Sequence, residues 1–194
     1  LRDGRDPLAK ACKEANTAQH LSDVMAGTES GNRMNLETFV QRSYMEKILC
    51  DANRRFRDMS NGQFELKLIN VEDAGEGKNK GLDLEAYSIV TGKTRSVNTL
   101  SGGESFMAAL SLALGMADQI QAATAAIHLD VMFIDEGFGS LSDNARNEAV
   151  NILKEMAGKQ RQIGIISHVS ELKDEIENQL IVKKADRGSH ISWR

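Results

Sequence analysis

Residues 131–136 read Val131-Met132-Phe133-Ile134-Asp135-Glu136, four apolar side chains in a row closed by two adjacent carboxylates. A strand buried on both faces carries such an unbroken apolar run, and in open α/β sheets ligands collect beyond the carboxyl ends of the strands. A second run covers residues 162–166 and leads into Ser167-His168-Val169. Helix-periodic segments at 103–121 and 144–157 alternate with these runs, so the chain from Leu100 onward predicts an α/β fold, a sheet covered by helices. Two further strands, 180–183 and 190–193, flank a turn at Asp186-Arg187-Gly188 and complete the domain edge.

Upstream the texture differs. Phe64, Leu66 and Leu68 alternate with polar residues, Leu82, Leu84 and Ala86 restart the alternation, and Thr91-Gly92 supplies a turn before a short stretch at 95–98. This predicts a small antiparallel sheet, with 72–81 as a loop. Ahead of it Leu36, Phe39, Val40, Tyr44, Ile48, Ala52, Phe56 and Met59 recur at helical steps, and Asn35 is placed to cap that helix. Arg54, Arg55 and Arg57 fall towards its C-terminal end, where cations suit the helix dipole; the cluster is a solvated helix end or a contact for DNA phosphates. Residues 28–34 break this helix from an earlier one, in which Leu8, Cys12, Ala15, Ala18, Leu21 and Met25 are spaced as on one face. That first segment has no starting methionine and reads as the middle of something longer, either a surface helix or the end of a coiled coil.

With 194 residues, 41% hydrophobic and 27% charged, one ordinary domain with a core is expected. A formal charge of -4 argues against coating nucleic acid by bulk electrostatics, while a local basic patch stays open. Cys12 and Cys50 stand far apart without C-x-x-C spacing, which indicates neither a zinc site nor a disulfide framework and fits a reducing compartment. The longest mostly apolar run, 106–117, is too short to span a bilayer and is broken by Ser111 and Gly115, so no membrane span is expected.

Three constellations carry chemistry. Leu100-Ser101-Gly102-Gly103-Glu104 runs straight into a long apolar helix. Its glycines leave backbone amides uncovered at a helix N-terminus, where the dipole and free N–H groups favour phosphate, and Ser101 adds a hydroxyl donor; the plainer alternative is a loop in which Ser101 caps the helix. At the end of the 131–134 strand, Asp135 is placed to hold Mg²⁺ and Glu136 to orient an attacking water, the alternative being a strand entering an acidic turn. His168, at the end of the next strand, is placed to donate a hydrogen bond to a γ-phosphate, or is a satisfied loop histidine.

Ser101, the Asp135-Glu136 pair and His168 occur in one order, each at the mouth of a separate element, with Gly139-Ser140-Leu141 just after the acidic pair. That order resembles the ABC-type ATPases, with their signature motif, Walker B, D-loop and switch histidine. The longer strings at 98–106 (NTLSGGESF), 133–141 (FIDEGFGSL) and 164–169 (GIISHV) are similar, more specifically, to the SbcC family of DNA-repair ATPases. Transporter ATPases usually show proline after the Walker B glutamate, where this chain has Gly137. The resemblance covers residues 35–194.

It implies the C-terminal lobe of an ABC-type ATPase head, an incomplete P-loop NTPase fold, with residues 1–31 as the returning coiled-coil segment and 32–194 as the lobe. It further implies ATP and Mg²⁺ as cofactors, Glu136 and His168 as catalytic, Asp135 as the metal ligand, and Ser101, Gly102, Gly103, Glu104, Ser140 and Asp143 as nucleotide contacts. As partners it implies an N-terminal Walker A half of the same protein, a second head in a homodimer, an SbcD-type nuclease and DNA, in a cytoplasmic, nucleoid-associated setting. A structural DNA-organising ATPase of the SMC or RecN kind uses the same head and is the alternative.

Two departures stand out. No G-x-x-x-x-G-K-[ST] loop is present: Gly92-Lys93-Thr94 has Tyr87 where the first glycine belongs, and Gly77-Lys78 has Glu72 there and Asn79 after the lysine. In the family that loop lies in the N-terminal segment, so the chain alone is expected to be inactive. The D-loop aspartate position holds Ser142, with Asp143 following.

Overall fold

The structure, a computed structural model, describes residues 5–27, 34–70, 81–123, 129–157, 161–185 and 188–194. The expected loop at 72–81, the break at 28–34 and the turn at Asp186-Arg187 lie largely or wholly outside them.

Helix α1 (Arg5–Ala26) leads into α2 (Leu36–Met59), whose N-cap Asn35 accepts a hydrogen bond from the Thr38 amide at 2.7 Å. Strands β1 (Phe64–Leu68), β2 (Leu84–Ser88) and β3 (Lys93–Ser96) form an antiparallel meander in that order, as the alternation predicts. The outer edge of β1 is satisfied by a side chain. Asn53 on α2 donates to the Leu66 carbonyl at 2.8 Å and accepts from its amide at 2.7 Å, imitating a neighbouring strand. Gly92 sits at the tight turn between β2 and β3 with φ 67, so the Gly92-Lys93-Thr94 triplet belongs to a hairpin.

Helix α3 (Gly102–Ala123) packs along α2. A Cβ at Gly115 would stand 2.7 Å from the Ile48 carbonyl oxygen and 3.0 Å from the Ala52 amide, so only glycine lets the two backbones come this close. By length and composition α3 passes for a bilayer-crossing helix, yet Met107, Leu110, Leu114 and Ala117 are buried, and it serves as the core helix of this fold. Parallel strands β4 (Val131–Asp135) and β5 (Gln162–Ile166) flank α4 (Asp143–Ala157). After the short α5 (Leu172–Glu175), β6 (Leu180–Ala185) and β7 (Gly188–Trp193) pair as a hairpin.

Two expectations need correction. The apolar stripe of α2 is buried only in its second half: Ala52, Phe56 and Met59 are inside, whereas Leu36, Phe39, Val40 and Tyr44 are exposed; in the first half Arg42 bonds to the carbonyls of Ile69 and Gly81 beside the meander. The sheet expected to be covered by helices is covered on one face, leaving Val131, Phe133 and Ile166 on the open side. The arginine cluster takes the helix-end reading, with Arg54 and Arg57 about half exposed or more and acidic partners within the chain. Arg55 pairs with Asp118, Arg57 with Glu65 at 3.3 Å and Arg54 with Asp51 at 3.6 Å. Asp118 is shared with the buried Arg161, whose Nη1 stands 3.0 Å away, an ion pair by distance whose angle is not that of a hydrogen bond.

Candidate functional site

Strand β4 delivers Asp135 and Glu136 to the carboxyl edge of the parallel pair, both exposed. Glu136 adopts a left-handed backbone, φ 61, and Gly137 follows with φ 98. Two such residues in succession swing the chain sharply out of the strand, and the surroundings hold a non-glycine residue there. The Glu136 amide donates to the Ile166 carbonyl at 2.8 Å, so the turn is fastened to the end of β5. From the loop after β5, His168 brings Nδ1 to 2.8 Å from Glu136 Oε2, with the imidazole 81% and the carboxylate 48% exposed. The contact is an ion pair by distance and not an aligned hydrogen bond; it leaves Nε2 of His168 and Oε1 of Glu136 for other partners.

At the N-terminus of α3, Ser101 and Glu104 form a reciprocal capping box. The Glu104 amide donates to Ser101 Oγ at 3.3 Å and the Ser101 amide to Glu104 Oε2 at 2.8 Å, with Arg95 also donating to that oxygen at 3.0 Å. The helix-cap alternative for Ser101 is thus realised, and the box takes two amides out of any anion cradle; the amides of Gly102 and Gly103 and the Ser101 hydroxyl hydrogen remain for a ligand. A Cβ at Gly103 would lie 2.7 Å from the Ser140 carbonyl oxygen and one at Gly102 3.6 Å from Ser140 Cβ, so this tip and the turn after the acidic pair share one surface.

Ser142 and Asp143 divide the work of the D-loop end. The Ser142 hydroxyl accepts from the Ala145 amide at 3.4 Å as the cap of α4, while Asp143, 88% exposed, pairs with Arg146. Beyond His168, the Glu171 carboxyl is held below the usual carboxylate range, first by its own backbone N–H, then by the Ser170 hydroxyl at 3.2 Å, with the Arg146 charge adding to both. The structure therefore brings Glu136 and His168 into contact and Gly102, Gly103 and Ser140 beside one another. Asp143 is directed to Arg146, and Asp135 makes no ion pair among the described residues. Sequence reasoning missed Phe106, whose ring lies against Gly137; the phenylalanine in the 98–106 string was its only signal.

One protein carboxylate at an open strand end suits Mg²⁺, which takes few protein ligands and completes its shell with phosphate oxygens and water. The described residues hold no cluster of three or more metal-binding side chains.

Residues 80–155 match the family described as SbcC/RAD50-like, Walker B motif. The chain is 40% identical over 184 residues to the SbcC component of the SbcCD nuclease of Treponema pallidum (strain Nichols), covering 95% of this chain and 17% of that protein. The Vibrio cholerae protein of the same name is 45% identical over 172 residues, covering 88% of this chain and 17% of its own length. The chain spans less than a fifth of the length of these relatives. Among solved structures, an SMC ATPase studied for ATP-driven dimerization and DNA-stimulated activation superposes with a TM-score of 0.62 at 19% identity, over 81% of this chain and 89% of its own. An Smc head bound to the C-winged helix domain of ScpA gives 0.62 at 20% identity, over 81% of this chain and 45% of its own. These likenesses give the fold, that of an SMC-type ATPase head lobe. The sequence matches give a likeness: residues 80–155 match the SbcC/RAD50-like Walker B family, and most of the chain is similar to a segment of SbcC proteins.

Proposed function

We propose that this chain is the Walker B half of an ATP-hydrolysing head in an SbcC-like DNA-repair protein, completed by an N-terminal segment that brings the phosphate-gripping loop. The observation that carries the reading is the Glu136–His168 contact at 2.8 Å, made on an exposed surface at the mouths of adjacent parallel strands. Oε1 of Glu136 is free to accept a proton from a water aligned with the γ-phosphate, in the manner of a general base. His168, between that carboxylate and a phosphate oxygen, would donate from Nε2–H to the phosphate. Asp135 would hold Mg²⁺, which when bound neutralises charge on the phosphates. From a second head, the amides of Gly102 and Gly103 and the Ser101 hydroxyl would close over the same nucleotide, with Ser140 and Asp143 alongside. The isolated chain, lacking a Walker A loop, would turn over ATP negligibly.

Residues 1–31 would be the coiled coil returning to the lobe at 32–194; α1 supports this, since among the described residues α2 is its main neighbour and Leu21 and Met25 are left exposed. The relatives named as the SbcC component of the SbcCD nuclease support an SbcD-type nuclease as partner, with DNA as the shared substrate, in the cytoplasm. The test is Glu136→Gln in the complete head. ATP binding and ATP-dependent dimerisation should persist while hydrolysis disappears; normal hydrolysis would refute the assignment of the base.

A further inference from the structure

The left-handed turn that presents Glu136 touches four groups, and one of them comes from the signature helix. The Ile166 carbonyl and His168 belong to β5 and its following loop, and Ser140 Oγ, which donates to the Gly137 carbonyl at 2.8 Å, belongs to the turn itself. The fourth is Phe106, one turn into α3. A Cβ at Gly137 would overlap the edge of its ring at Cδ2 and Cε2 and stand 2.9 Å from Cζ, so the ring lies directly against the glycine's α-carbon. The ring is itself held edge-on by Phe138, centroids 5.1 Å apart at 63°, and Phe138 is fully buried.

We propose that Phe106 is a positioning residue for Glu136: its ring, carried on the helix whose tip faces a phosphate, is the surface that sets the Glu136-Gly137 turn. Gly137 is required on two counts, its φ of 98 and the absence of a Cβ where the ring passes. Without the ring, the turn keeps its hydrogen bonds but loses the wall that stops Gly137 from relaxing towards α3, and the carboxylate loses its fixed aim. Phe106 follows the Ser101–Glu104 capping box by two residues, so the tip and the wall move as one rigid piece of helix. This rests on the ATPase reading above.

The test uses the complete head, this chain together with its N-terminal Walker A segment, assayed for ATP binding, ATP-dependent dimerisation and steady-state hydrolysis. Phe106→Ala should leave ATP affinity and dimerisation within about twofold and lower kcat roughly tenfold or more, the size expected when a reacting group is misaimed. Phe106→Leu, which keeps apolar bulk without the flat edge, should fall between, and it is read instead if Phe106→Ala does not fold. Gly137→Ala should nearly abolish turnover, and its effect should shrink in the Phe106→Ala background, where room for the new methyl exists. Unchanged kcat in the Phe106 variants overturns the proposal, and so does a fall in kcat matched by equal loss of ATP binding, which marks a role in folding alone. Glu136→Gln run in parallel separates the two readings. If it hydrolyses normally, the assignment of Glu136 as the base fails and the positioning role falls with it; if it is dead while the Phe106 variants are fully active, only the positioning role fails.

Discussion

Two sides of this molecule carry the same kinds of residue and treat them oppositely. On one side α2, α3, α4 and the antiparallel meander enclose Phe56, Leu114 and Phe138 at 0% exposure. Outside that core, the outer face of β4 and β5 shows Phe133 at 73% exposure, and the separate hairpin β6–β7 shows Trp193 at 78%. The hairpin residues Leu180, Val182, Ile191 and Trp193 lie on one face, since Leu180 pairs with Trp193 and Val182 with Ile191. Parallel strands ordinarily have both faces covered, so an apolar parallel pair open on one face suits the N-terminal segment proposed above as its cover. The difference teaches that the chain divides into a self-sufficient half-core and a surface shaped for cover, with the acidic turn at the seam.

The comparison is broken most easily on the closed side. Phe56 is fully buried, stacked on Phe64 with centroids 6.2 Å apart. Phe56→Ala should destabilise the isolated chain by about 3–5 kcal/mol, read as a fall in the denaturant midpoint at unchanged slope. A loss below about 1 kcal/mol would mean that the enclosed side is no better packed than the open one.

At the seam a smaller effect is expected. Ser142→Ala removes the cap of α4 without touching the apolar contacts, and should cost about 1 kcal/mol in the same measurement. Ser142→Asp should be nearly neutral, because a carboxylate caps as well and suits the positive end of the helix. If instead Ser142→Ala is silent while Ser142→Asp raises turnover in the complete head, the position serves the nucleotide and Asp143 has not replaced it.

The strands and longer helices of the described regions were legible from apolar periodicity and turn residues, since these are local signals. Phe64, Leu66 and Leu68 announce β1, and the 131–136 run announces β4 with its carboxylates at the correct end. What could not be read was which apolar stripes find a partner within the chain. Phe39 and Phe56 look equivalent on α2, yet one is 61% exposed and the other is buried, stacked on Phe64 of β1 a few residues beyond the point where Gly115 of α3 meets Ile48 and Ala52. The site followed the same rule. The order of Ser101, Asp135, Glu136 and His168 named the candidates, while the Glu136–His168 contact, the capping box and the Phe106 wall depend on tertiary approach that no spacing encodes.

The smallest effect sharpens the comparison furthest. Phe133 crosses its pair partner Gly164, where a Cβ would stand 2.6 Å from the ring, and otherwise looks outward. In the isolated chain Phe133→Ser should change stability by no more than about 0.5 kcal/mol, because an exposed ring loses little when removed. Combined with the N-terminal segment, the same substitution should weaken association strongly: burying a phenylalanine side chain is worth about 1.5–3 kcal/mol, or roughly 10- to 150-fold in the dissociation constant. A residue silent alone and costly in the pair is the signature of a face awaiting its layer. Equal affinity for the segment with and without the ring would place the cover elsewhere, on the β6–β7 hairpin, and leave the outer face of β4 as true surface.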